Sequence, residues 1–421
     1  MKRLFSLLLI AVMLLTLCAC GGKENTKTEE PKTFRVGFGR VDVTPTGSVS
    51  LDGYDPRASE GVLNPVMATC VAITDAENNT ILLYTVDMCN SEKQTVKTLR
   101  ERLTKSTGVP EDNITVSATH THSSPEEPYP ASYIDQLVQA GEEAMKDRAP
   151  ATITAGSYDV PHMNFVRHYI TKDGTYYGDN FGKTGSGLLR PTTEADGNMR
   201  LIRFIREGDK KDVLMVNWQV HPKTASTNNT AEGRLTRNLL SSDFIGFARD
   251  YVEANADVLM AYYTGAAGNL NPESKLAAEN QLAPRGGQPY GEQFGSHVVE
   301  ALKALQPLQT GNVGSKKTLL GETAGGYSLH AYTVGGSLGF ATVPAEIFDT
   351  TGKQIREGSP TEITFVLTCA NGRHTYIPPA EVFDYSSSGV VPYEVRICKY
   401  PRGTAETLAQ DLINMLTELQ G

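Results

Sequence analysis

Two of the eight histidines in this 421-residue chain stand one residue apart, in Ala118-Thr119-His120-Thr121-His122-Ser123-Ser124-Pro125. The run Ile114–Thr119 before them reads as a short strand. Residues i and i+2 of an extended chain point to one side, so His120 and His122 are expected to project together at a strand end. Convergent neutral imidazoles are what a zinc-like ion requires, and the neighbouring Thr and Ser hydroxyls could orient them. A hydrogen-bonded polar loop is the alternative. His221 ends a second apolar run, in Asn217-Trp218-Gln219-Val220-His221-Pro222, where, taken alone, a satisfied core histidine is the more natural reading. Glu346, in Thr342-Val343-Pro344-Ala345-Glu346-Ile347-Phe348, follows a strand-like stretch at an expected helix start. The helix dipole alone favours a carboxylate there. Tyr376 precedes Ile377-Pro378-Pro379, whose prolines fix the backbone; it reads as an aimed phenol or as a core tyrosine. The small-residue turn Gly265-Ala266-Ala267-Gly268-Asn269-Leu270-Asn271-Pro272 would let a ligand approach the backbone, but no Gly-Lys-Ser/Thr makes it a phosphate loop.

The elements that must position these residues alternate between strand and helix. Strand patterns cover Phe34–Val43, Val66–Thr74 and Thr80–Asp87, the last two joined by a turn at Asp75–Asn79. Ser91 is placed to cap a helix carrying Val96, Leu99 and Leu103 on one face, stopped by Gly108 and Pro110. A helix over Tyr133–Arg148 and a strand over Ala151–Val160 follow. Ile170–Asn198, rich in Gly, Thr and Asp, reads as an ordered loop. Leu201–Arg206 and Asp212–Val220 read as a strand pair, Ser241–Asn255 as a helix, Val258–Tyr263 as a strand, Asn269–Gln288 as a loop and Gly291–Leu305 as a helix. Strands are expected at Gly326–Thr333, Gly339–Val343 and Glu362–Leu367, and a helix from Glu346 to Arg356. A final amphipathic helix, Thr404–Leu419, has Leu408, Leu412, Met415 and Leu419 on one face. No repeat or linker interrupts residues 34–421, so the fold class is α/β: one domain with a mixed β-sheet core flanked by helices.

Composition narrows the partners. Apolar residues make up 39% and charged residues 21% of the chain, which excludes a mostly disordered protein. The net charge of −9 argues against nucleic acid as a partner. Lys2 and Arg3, the apolar run Leu7–Leu17 and Leu17-Cys18-Ala19-Cys20-Gly21 resemble a bacterial lipoprotein signal, too short to span a bilayer. Residues 1–19 are then a cleaved signal peptide and Cys20 the lipidated mature N-terminus. Residues 20–33 form a tether, and the exported protein is anchored to the membrane through its lipid. Cys70, Cys89, Cys369 and Cys398 show no zinc spacing and read as free thiols, although export permits disulfides.

Eight stretches, in this order, resemble the neutral/alkaline non-lysosomal ceramidase family: VGFGRVDVTP (36–45), ATHTHSSP (118–125), HMNFVR (162–167), NWQVHP (217–222), SSDFIG (241–246), GAAGNLNP (265–272), TVPAEIF (342–348) and YIPP (376–379). They are spread across most of residues 34–400. The resemblance implies a catalytic Zn2+ held by His120, His221, Glu346 and Tyr376. It also implies roles for His122 as a donor to the substrate carbonyl, Arg167 as a polar substrate contact and Tyr393 as a second active-site tyrosine. Two departures stand out. The family's Gly-Asp-Val-Ser-Pro-Asn is here Gly268-Asn269-Leu270-Asn271-Pro272-Glu273, so Asn271 replaces the serine and is left to hydrogen-bond substrate or water. The chain also ends about 20 residues after Pro401, without the family's C-terminal immunoglobulin-like domain. The expected function is zinc-dependent hydrolysis of an amide in an N-acyl small molecule or lipid, with water rather than serine as nucleophile. An ester hydrolase and a non-catalytic ligand-binding lipoprotein are the alternatives.

Overall fold

The structure, a computed structural model, describes residues 32–178, 187–226, 235–273, 286–321, 326–372, 375–388 and 391–420. The expected signal peptide and Cys20 lie outside the described residues.

The larger of the two main sheets contains β1 (Arg35–Asp42), β2 (Met67–Thr74), β3 (Thr80–Val86), β4 (Ile114–Ala118), β5 (Ala149–Asp159), β6 (Asn198–Arg206), β7 (Asp212–Trp218), β8 (Val258–Thr264) and β9 (Gln306–Leu308). Its order is β8-β7-β6-β5-β1-β2-β3-β4, with β9 also paired to β5. The pairs β3/β4 and β7/β8, at its two ends, are parallel and the rest antiparallel, so the sheet is mixed as expected. A second sheet, with order β10-β11-β12-β14, was not foreseen as separate. It comprises β10 (Val313–Leu319), β11 (Ser328–Val334), β12 (Leu338–Thr342) and β14 (Ile363–Leu367). Between its last two strands in sequence lies the two-residue β13 (Glu346–Ile347), which pairs with β15 (Tyr376–Ile377).

Alternation within the strands sets the layers. Ile202, Phe204, Val213 and Met215 face Tyr332, Phe340 and Phe365 of the second sheet. Their neighbours Leu201, Leu214 and Val216 turn the other way, onto α3 (Phe244–Asn255) and α4 (Gly287–Ala301). The other half of that face packs on α1 (Lys93–Thr107) and α2 (Ser132–Lys146) through Leu99, Leu103, Leu137 and Ala144. The outer face of the second sheet packs on α5 (Asp349–Gly358) and, near the C-terminus, on α7 (Thr404–Glu418), whose Leu408, Leu412 and Met415 are buried. Between these two helices comes the short α6 (Tyr393–Ile397). Four layers result: helices, sheet, sheet, helices. Strands β3 and β7 are buried along their whole length, which is why they read as continuous apolar runs.

Three local expectations are corrected. Glu92, not Ser91, caps α1, because the Ser91 hydroxyl donates instead to the Cys369 carbonyl at 2.7 Å. The stretch read as a loop over Ile170–Asn198 contains strands His168–Thr171, Tyr176–Gly178 and Leu188–Pro191, paired as a small sheet. Helix α5 begins at Asp349, so Glu346 sits in a strand and the helix-dipole explanation does not apply to it.

Candidate active site

In three places a helix connects two parallel strands: β3-α1-β4, β7-α3-β8 and β12-α5-β14. Side chains just beyond the carboxyl ends of such strands are well placed to meet a ligand. His120 follows β4, His221 follows β7, and Glu346 follows β12. The two sheets are tied together at this end: the Ala118 N–H donates to the Cys369 carbonyl at 3.2 Å, and the Thr368 N–H to the Thr264 carbonyl at 3.1 Å. Tyr376 arrives through β15, where it is the direct register partner of Glu346. Gly268 makes room for this pairing, since a Cβ there would lie 2.8 Å from the Ile347 carbonyl oxygen. The small residues of that turn therefore accommodate protein backbone rather than a ligand.

The centre is tight. Glu346 Oε2 lies 3.2 Å from His120 Nε2 and 3.0 Å from His221 Nε2. The Tyr376 hydroxyl is 3.1 Å from His221 Nε2. Both rings are held from behind by backbone carbonyls, with His120 Nδ1 2.7 Å from Cys89 O and His221 Nδ1 2.8 Å from Ala267 O. The expected Thr and Ser partners do not orient the rings. They brace the loop instead: Thr121 Oγ1 donates to the Ser241 carbonyl at 2.7 Å. With Nδ1 as donor, each Nε2 presents a lone pair. Two lone pairs, a carboxylate and a phenol oxygen then share one buried point and need a positive charge between them. A proton on His120 is one solution: burial lowers its pKa, but Glu346, together with the thiols of Cys369 and Cys89, outweighs this and raises it well above the usual value. Burial likewise opposes the charge on Glu346, yet the two imidazoles hold its carboxyl well below the usual range. A divalent cation is the other solution. The nitrogen and oxygen donors of His120, His221 and Glu346 lie within 4.8 Å of one another, and with Tyr376 they fit a borderline ion such as zinc.

His120 and His122 do converge, with Nε2 atoms 3.4 Å apart, but not by strand alternation. The strand ends at Ala118, and His120 has a positive φ of 69°. His122 forms part of the wall of an open cleft of about 470 Å³ over the centre, together with Asp52, Tyr54, Asn90, Thr375 and Tyr393. Burial and the neighbouring imidazoles push its pKa well below the usual value, so it is neutral. The turn that holds it went unnoticed in the sequence. Gly53 (φ 97°) lies so close that a Cβ would sit 2.6 Å from His122 Cα, and Tyr54 meets the imidazole edge-on with ring centroids 4.9 Å apart. Asp52-Gly53-Tyr54-Asp55-Pro56 carries a turn signal that marks the place but not the partner. The SSDFIG stretch has a supporting role: buried Asp243 accepts the Thr224 and Ala225 N–H groups at 3.0 and 2.9 Å, just beyond His221.

Arg167 is 3% exposed and lies behind the centre rather than on the cleft wall. Its Nε and Nη2 donate to Glu394 Oε1 at 3.0 and 2.5 Å, and its guanidinium covers the Tyr376 ring at 5.4 Å. This geometry steadies the phenol rather than reaching for substrate. Tyr393 is half-buried on the cleft wall, its ring centroid 5.8 Å from that of Tyr376. Asn271 is 1% exposed, in a two-residue strand paired with Phe165–Val166, and is not among the residues that line the cleft. Glu394 was not anticipated, and nothing in its local sequence marks it. Burial opposes its charge, but His168 and Arg167 outweigh that and bring its pKa down to about 2. Its unfolded value is about 4.3. The ion pair therefore contributes its full stability above that value and loses it as pH falls toward 2. Glu394→Gln should leave Arg167 buried without its counter-charge and cost about 3–5 kcal/mol at neutral pH. Its stability should also fall less steeply than the wild type's below about pH 4.5. Urea denaturation at neutral pH and through the acid range measures both, and an unchanged midpoint would refute the assignment.

A mixed large sheet and a second smaller one, packed face to face between helices, define a fold already seen in solved structures. No protein-family model matches the chain. Its fold is that of the neutral ceramidases. A neutral ceramidase from Pseudomonas aeruginosa matches with a TM-score of 0.72 at 17% identity, over 92% of this chain and 74% of that one. A ceramidase complexed with C2 matches with the same TM-score at 16% identity, over 92% of this chain and 75% of that one.

Proposed function

We propose that the protein is a zinc-dependent hydrolase that cleaves the amide bond of an N-acyl compound. The observation that carries this reading is the convergence of His120, His221, Glu346 and Tyr376 on one buried point beneath an open cleft. The ceramidase fold supports it as analogy. When bound there, zinc supplies Lewis acidity and brings the pKa of a water near 7. The chain's own groups do the rest. Glu346 and the two imidazoles fix the charge balance of the centre. His122, a neutral imidazole on the wall, donates to the carbonyl oxygen as negative charge develops on it. The backbone carbonyls of Cys89 and Ala267 hold the two rings in place, and Arg167 steadies Tyr376. Asp52, Asn90 and Thr375 make the wall polar, which suits the hydrogen-bonding amine side of such a substrate.

The test is elemental analysis of the purified protein, followed by assay of zinc-loaded material against a panel of N-acyl amides and matched esters. Stoichiometric zinc with amide turnover supports the reading. Absence of zinc after loading overturns it, and ester-only turnover would move it to the ester hydrolases. We also propose export and anchoring through a lipid on Cys20. Among the described residues no helix is long and apolar enough to cross a membrane, and stable retention takes more than one acyl chain. Cys20→Ser should abolish lipid labelling and release the protein from membranes, and unchanged retention would count against the anchor.

A further inference from the structure

Beside the His120–His221–Glu346 set lies another. The Cys89 thiol, one nitrogen of His120 and one of His122 also fall within 4.8 Å of one another. Cys89 Sγ is 3.8 Å from His120 Nδ1, and His122 Nε2 is 3.4 Å from His120 Nε2. Among the described residues Cys89 is a free thiol, and His122 Nδ1 is buried with no hydrogen-bond partner. Both residues border the cleft, so an ion from solvent reaches them by the substrate's own route.

We propose that Cys89, His120 and His122 form a second metal site, selective for thiophilic ions, that excludes an ion from the first. This rests on the reading of the first set as a zinc site. The two sets differ in chemistry: one adds carboxylate and phenol oxygens to imidazole, the other a sulfur. They share His120, whose two nitrogens are both already engaged. Its Nε2 faces Glu346, and its Nδ1 is held by the Cys89 carbonyl at 2.7 Å. An ion taking Nε2 removes a ligand from the first set, and one taking Nδ1 breaks the bond that aims the ring. Binding forms a sulfur–metal bond and releases the thiol proton to solvent, with no change of oxidation state.

Cadmium is the probe. Metal-stripped mature protein, beginning at the lipidated Cys20, should take up one equivalent of Cd2+ on titration and develop an ultraviolet thiolate-to-cadmium charge-transfer band. The band should be absent in Cys89→Ser and in Cys89→Ala, whose folding circular dichroism checks independently, and retained in His221→Ala. Zinc-loaded protein should release one zinc for each cadmium bound, as counted by native mass spectrometry. A wild type without the band, or a band that survives both Cys89 substitutions, overturns the site. One zinc and one cadmium held together overturn the exclusion. The band requires neither zinc nor turnover, so failure of the proposed hydrolase activity would be seen separately.

Discussion

His221→Ala should lose zinc and hydrolysis together while the protein stays folded. His221 is 1% exposed and touches every part of the centre. Its Nε2 lies 3.0 Å from Glu346 Oε2 and 3.1 Å from the Tyr376 hydroxyl, while its Nδ1 meets the carbonyls of Ala267 and Leu270 at 2.8 and 3.0 Å. Alanine leaves the carboxylate facing one imidazole and removes a partner from two carbonyls. An unsatisfied buried acceptor costs about 1–3 kcal/mol. That is bearable for a fold whose main apolar clusters are built from other side chains. Loss of a direct ligand should exceed the roughly 100-fold effect typical of an outer hydrogen-bond partner. Zinc content, turnover and circular dichroism measured on one preparation decide the matter. A variant that keeps stoichiometric zinc and turnover would remove His221 from the metal set, and one that loses zinc but keeps full turnover would remove the metal from the reaction.

The sequence made visible what depends on local pattern and hid what depends on pairing across the fold. Strands β2, β3, β6 and β7 were legible because their apolar runs end in turn signals. Helix α7 was legible because its apolar side chains recur at helical spacing. The two-residue strands β13 and β15 carry no periodicity at all, yet their pairing sets Glu346 against Tyr376. For that reason both residues read as ordinary in isolation, one as a helix-start carboxylate and one as a core tyrosine. His120 and His122 were found through a spacing argument whose premise fails at a positive φ. The rings converge because the 52–57 turn and the carbonyl of Cys89 hold them. Glu394 shows the same limit from the other side. A buried carboxylate is recognisable only once Arg167 and His168, more than two hundred residues earlier, are seen around it. The second sheet escaped notice because strands of either sheet have the same alternation, and only packing tells which belong together.

Asn271→Ala should retain hydrolysis within about 100-fold of the wild type, because a residue that only supports the centre from behind costs no more than the scale of an ångström's misplacement. His120→Ala should have no measurable turnover. The contrast follows from where the two residues stand. Asn271 is buried in a strand pair with Phe165, and its neighbour Leu270 offers a carbonyl to His221. It supports the centre from behind and borders no part of the open cleft. His120 lines that cleft and lies 3.2 Å from Glu346. An asparagine amide is no nucleophile, so a reaction that needs a side-chain acyl acceptor at this position could not run in this chain. Attack by water needs none, and every turnover then releases amine and acid without a stored acyl group. Rapid-mixing kinetics should accordingly show amine released linearly from the first turnover. A stoichiometric burst accompanied by a covalent acyl adduct in mass spectrometry would place an acyl step before the slow one and identify its residue. Ser274, three positions beyond Asn271 and outside the described residues, is the first place to look for it. That result would replace water attack with acyl transfer, while leaving the assignment of His120, His221, Glu346 and Tyr376 to be judged by the zinc measurements alone.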